Sequence, residues 1–89
     1  MKFKMKVKDW EKVDKGYTIF WGELERPSHQ FVKNQESRLI IDGQEVQKIL
    51  IMGESFSTPM DKKFLITKDE IFIDKNIITN RDVWLESIE

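Results

Sequence analysis

The chain reads as an all-β (mainly β) domain, a small six-stranded barrel or sandwich, and three features predict it. Short alternating or β-branched runs recur at close spacing, turn residues separate them, and only the C-terminal end carries a short helix signal. A barrel is the first expectation, because closure removes most exposed strand edges. With 89 residues there is room for one hydrophobic core over residues 1–89, and not for two with a linker.

The first strand signal is strict alternation. Phe3, Met5 and Val7 fall on one side and Lys2, Lys4, Lys6 and Lys8 on the other, as a half-buried strand requires. The pattern breaks at Asp9-Trp10. Asp14-Lys15-Gly16 then has turn composition and leads into Tyr17-Thr18-Ile19-Phe20-Trp21, a β-branched and aromatic run expected to pair with the first strand. Arg26-Pro27-Ser28-His29 ends that run, since proline lacks a backbone donor, and polar residues 33–37 extend the loop.

Asp42-Gly43, between Arg38-Leu39-Ile40-Ile41 and Gln44-Glu45-Val46, is the strongest hairpin signal, because both residues tolerate the positive φ of a type I′ turn. The apolar run Ile49-Leu50-Ile51-Met52 predicts a strand buried on both faces at the centre of the core, with Gly53 relaxing its end. Residues 57–61 read as a loop. Phe64-Leu65-Ile66-Thr67 and Ile71-Phe72-Ile73 read as short strands that turn at residues 68–70. The tail is open between two readings: Thr79-Asn80-Arg81-Asp82 has a helix-capping pattern, and the same stretch alternates as a final strand.

Composition narrows the function classes. Hydrophobic residues at 39% and charged residues at 35% describe a folding chain with a heavily ionised surface, and the six Phe, three Trp and one Tyr are expected mostly inside. Absence of cysteine removes disulfides, thiolate nucleophiles and Cys-based zinc sites, which fits a reducing, cytoplasmic setting. Lysine at every second position interrupts the apolar stretch a signal peptide needs, and no later segment has the length of a membrane span. A net charge of −1 lacks the footprint of most nucleic-acid binders. Its distribution is uneven: residues 1–16 balance at +3 and residues 69–89 at −4, so the two ends are expected to attract each other or to pair between chains.

Sites of chemistry are few. His29 is the only histidine, so a metal site would rest on carboxylates alone, and no ligand spacing suggests one. Adjacent Ser28 and His29 do not face each other as nucleophile and base. Gly53-Glu54-Ser55-Phe56-Ser57 lacks the final glycine of a nucleophile elbow, and the four glycines are too scattered for a phosphate loop. A carboxylate pair for acid–base work needs a cleft that a filled small barrel does not provide. No catalytic residue, cofactor or metal is therefore expected.

For binding, Lys2, Lys4, Lys6 and Lys8 form a stripe that would touch phosphates, with Trp10 as a stacking platform. The plain role of that stripe is a solvated face, or the protection of an edge strand against aggregation. Trp10, Trp21 and Trp84 are each expected in the core or half-buried, and a cluster of exposed aromatics would instead mark an interface.

Residues 16–53 add a family resemblance. Gly16 leads into a β-rich strand ending at Gly22, Glu23-Leu24-Glu25-Arg26 follows, and Asp42-Gly43-Gln44-Glu45-Val46 enters Ile49-Leu50-Ile51-Met52-Gly53. These stretches resemble the second-domain β-barrel of translational GTPases of the elongation-factor-Tu type. Pro27 stands where that family usually has glycine, the first two glycines are one residue further apart, and the segment to Gly43 is longer. The resemblance implies a six-stranded barrel and assigns no ribosomal or tRNA contact to a particular residue. The expected role is a non-catalytic module binding a protein partner or itself, with RNA as the alternative partner and no membrane. A small enzyme would require a deep pocket of convergent polar groups.

Overall fold

Alternation in the first residues becomes a strand, β1 (Lys4–Lys12), in the computed structural model, which describes residues 2–26, 32–54 and 62–88. The break at Asp9-Trp10 does not end it. The register with the next strand, β2 (Thr18–Leu24), shifts between Val7 and Asp9, a β-bulge at Lys8 that turns Trp10 inward after Met5 and Val7. Between the strands, Lys15 and Gly16 both take positive φ, and Val13 N–H donates to the Tyr17 carbonyl at 2.8 Å.

Among the described residues five further strands follow: β3 (Gln35–Ile41), β4 (Gln44–Ile51), β5 (Gly53–Glu54), β6 (Lys62–Thr67) and β7 (Val83–Ser87). Asp42 and Gly43 join β3 to β4 with φ of 51° and 83°, the expected type I′ signature. All seven pair antiparallel in one curled sheet, a half-barrel ordered β4-β3-β7-β1-β2-β6-β5. Its two outermost strands, β4 and β5, are successive stretches of chain around Met52, whose N–H donates to the Ile66 carbonyl at 2.8 Å.

One open reading closes and three expectations change. The tail is a strand and not a helix: β7 lies between β1 and β3, where its inward Val83 and Leu85 fill the core better than one helical face would. Residues 71–73 form no strand, because β6 already has β2 and β5 on its two sides. That segment covers the outer edge of β4 instead: Phe72 N–H donates to Gln47 Oε1, Gln47 Nε2 to the Glu70 carbonyl, and Leu50 N–H to Asp69 Oδ2. Residues 49–52 do not make a strand buried on both faces. β4 is an outer strand in which Ile49 and Ile51 are buried and Leu50 is exposed. Finally, the core is mostly aliphatic. Phe3, Trp10 and Phe20 are its only aromatics among the described residues, and Tyr17, Trp21, Phe64, Phe72 and Trp84 are half-buried or exposed.

The core gathers Met5, Leu39, Ile51, Leu65 and Leu85 around Phe20, whose ring meets Trp10 at 5.5 Å between centroids. Ile71, Ile73, Ile77 and Ile78 pack against it. Gly22 lets β1 and β2 approach closely opposite the bulge, since a Cβ there would stand 1.9 Å from the Lys6 carbonyl oxygen. Among the described residues one ion pair lies inside: Lys63 Nζ is 2.7 Å from Glu54 Oε1, and the same oxygen accepts the Val32 N–H at 2.8 Å. Removing one partner of such a buried pair costs about 3–5 kcal/mol. Among the described residues no helix is long and apolar enough to cross a membrane. Pro27, Ser28, His29 and residues 57–61, expected as loops, lie outside the described residues, as does most of the Gly53–Ser57 stretch.

Candidate functional site

Strand periodicity decides which side chains face outward. In β2 the buried set is Thr18, Phe20, Gly22 and Leu24, which leaves Ile19, Trp21 and Glu23 on the outside. In β6 the buried set is Lys63, Leu65 and Thr67, which leaves Lys62, Phe64 and Ile66. Pairing places these residues directly opposite one another: Ile19 faces Ile66, Trp21 faces Phe64, and Glu23 faces Lys62. Trp21 is 42% exposed, and its ring stacks on Phe64 at 6.3 Å between centroids with only 18° between planes. Two nearly parallel rings therefore sit on a convex sheet face, with an aliphatic pair on one side and a charged pair on the other.

The apolar strip continues past Ile19 and Ile66. Val13, Tyr17, Met52 and Gly53 join them around an open depression of about 400 Å³. Lys68 bounds this end, its ammonium 5.3 Å from the Tyr17 ring centroid. Along the other flank β1 presents Asp9 beside Trp21 and Glu11 beside Ile19. Trp21 and Val13 are exposed and Tyr17, Ile19, Met52, Phe64 and Ile66 half-buried, an outward apolar strip with charges at its rim that has the make-up of an interface core.

The residues singled out from sequence lie elsewhere. Trp10 is only 5% exposed and packs on Phe20, so it has no free ring face for a stacked base. The bulge at Lys8 is what turned it inward. The lysines do not guard an edge, because β1 is interior, between β7 and β2. Lys4 lies opposite Glu86 and 3.8 Å from Glu25, and Lys6 is 3.5 Å from Asp82. Both ammonium groups stand over Trp84, at 4.9 and 5.9 Å from the ring centroid, while Trp84 Nε1 donates to Asp82 Oδ2 at 3.0 Å. Lys2 lies outside β1, Lys8 sits at the bulge, and both are exposed. The opposite charges of the two ends thus meet within one chain, where Lys6 approaches Asp82 and Lys4 lies opposite Glu86.

Asp42 ties the hairpin to the approach to β7. Its carboxylate accepts the Asp82 N–H at 3.0 Å and the Arg81 guanidinium, and its own N–H donates to the Asp82 carbonyl at 2.8 Å. The Asp82 N–H, followed by Arg81, holds the Asp42 carboxyl below its ordinary pKa. Among the described residues no group of three or more His, Cys, Asp or Glu side chains gathers to hold a metal.

Sequence reasoning missed Trp21 and Phe64 as surface residues. The signal was present in the phase of β2: once Thr18, Phe20 and Leu24 are assigned inward, Ile19 and Trp21 must point out. Comparison with protein-family models, with curated proteins and with solved structures finds no match to the chain, so its own surface is the guide to what it does.

Proposed function

We propose that this chain is a non-catalytic interaction module that holds a protein partner on the convex face of β2 and β6. One observation carries the reading: Trp21 is 42% exposed and stacked on Phe64 in a row that also holds Ile19 and Ile66. Tryptophans on such a patch contribute strongly to binding once a partner excludes water from them. RNA contact through the lysines has less support, because Trp10 is buried and Lys4 and Lys6 are engaged by Glu25, Asp82 and Trp84.

The test is a photo-crosslinking residue placed at position 21 or, as a control, at Lys48 on β4, in cells that produce the protein. Adducts are expected at position 21 and not at position 48. Equal labelling at both, or none at either, removes the reading.

A further inference from the structure

A cavity of about 480 Å³ opens between the last residues of β1, the first of β2 and residues 68–71 with Lys75. The charged groups on its lining are exposed, whereas two polar side chains there, Trp10 and Thr18, are each only 5% exposed. The protein satisfies neither. The Trp10 indole N–H and the Thr18 hydroxyl make no hydrogen bond among the described residues, and neither atom is sealed from solvent. Thr67, opposite Thr18 on β6, is the contrast: its hydroxyl donates to the Leu50 carbonyl at 2.7 Å and accepts the Asp69 N–H at 3.0 Å. A buried donor without an acceptor is unfavourable, so two of them on one cavity call for a guest that accepts from both.

The charge beside these donors is positive. Trp10 and Thr18 are diagonal neighbours across the pairing of β1 with β2, and Lys12 lies opposite Thr18 on the same face as Trp10. Among the described residues Lys12 makes no ion pair. The carboxylates of the lining are occupied or offset. Glu11 alternates to the other face of β1, Asp69 Oδ2 accepts the Leu50 N–H at 2.7 Å, and Glu70 shares its side of the cavity with Lys68 and Lys75. The geometry points to a site for a small organic carboxylate: one oxygen accepts from Trp10 and the other from Thr18, beside the Lys12 ammonium. Two oxygens and one charge match two donors and one unpaired cation, whereas a primary amide of the same shape brings a single acceptor oxygen. Ile71, half-buried and packed against the core, meets the apolar end of the ligand. This site lies on the inner side of the sheet, so it stands or falls apart from the face of Trp21 and Phe64.

The test is an NMR titration of the isotope-labelled full chain with sodium butyrate, read at the tryptophan indole N–H signals. Trp10→Phe assigns the signal of Trp10, and sodium chloride matches the ionic strength. Saturable movement of the Trp10 signal in the millimolar range is expected, while those of Trp21 and Trp84 stay in place. Butyramide is expected to bind about tenfold more weakly or worse, because it lacks the charge and the second acceptor. Thr18→Val, which removes the hydroxyl at nearly constant volume, and Lys12→Gln are each expected to weaken butyrate binding by about fivefold or more. Should Thr18→Val lose its dispersed spectrum, Lys12→Gln and butyramide decide. A Trp10 signal that stays put, that moves equally with chloride or butyramide, or that saturates alike in wild type and either folded variant leaves the cavity to water and overturns the proposal.

Discussion

Trp21 and Trp84 both point outward from interior strands of the same sheet, yet their surroundings are opposite. Trp84, on β7, lies beneath the Lys4 and Lys6 ammonium groups, and its indole N–H is held by Asp82. Its neighbour Glu86 stands opposite Lys4 on β1 and Arg38 on β3, which completes a row of alternating charge. Trp21, on β2, has Phe64 beside it and no cation over its ring among the described residues. One face uses its tryptophan to organise its own charged groups, and the other leaves its tryptophan exposed beside a second aromatic ring. An outward tryptophan therefore acquires a meaning only from its cross-strand neighbours.

The contrast can be broken at its boundary. Gly22 sits where the two faces join, and Gly22→Ala would drive a Cβ into the Lys6 carbonyl. Backbone has nowhere to retreat opposite a bulge, so a loss of about 3 kcal/mol is expected in urea unfolding. Stability within about 0.5 kcal/mol of wild type would show that β1 and β2 separate there at little cost.

Exchanging the tryptophans sharpens it. Trp84→Ala removes a half-buried ring, two cation contacts and a hydrogen bond, and is expected to cost about 1–2 kcal/mol. Trp21→Ala is expected to cost less than about 1 kcal/mol, mostly the stacking on Phe64, while it weakens association. Equal destabilisation by the two would erase the distinction. The smallest effect concerns acid. The folded-state pKa of Asp42 is depressed, so its contribution is fully present above the unfolded aspartate value of about 3.9 and is lost as pH falls through the lower folded value. Asp42→Asn should therefore unfold with a shallower dependence on pH below about 4 than wild type does, as followed by circular dichroism.

Much of the fold was legible before the structure. Alternation in residues 2–8 and the Asp42-Gly43 turn placed β1 and the β3–β4 hairpin, because each depends on local chemistry that the chain carries in full. Residues 49–52 and 71–73 were misread for a shared reason: apolar runs say that a segment meets the core and not which neighbour occupies its edge. Leu50 faces out because β4 is outermost, and Phe72 stays out of the sheet because β6 has no vacant side. The site was less legible than the fold. An alternation of lysines stands out in a sequence, whereas the Trp21–Phe64 row exists only once β2 and β6, distant in sequence, are brought into register.

The place of β7 has a consequence for how the molecule comes into being. It joins the hairpin of β3 and β4 to the group formed by β1, β2, β6 and β5, and it follows the other six strands in the chain. Until a ribosome has released residues 83–87, β1 and β3 each lack a neighbour, and inward side chains such as Met5 and Leu39 have no Leu85 to close over them. Assembly of the sheet thus waits for β7, and a nascent chain stalled short of it would carry two open strand edges of the kind chaperones recognise.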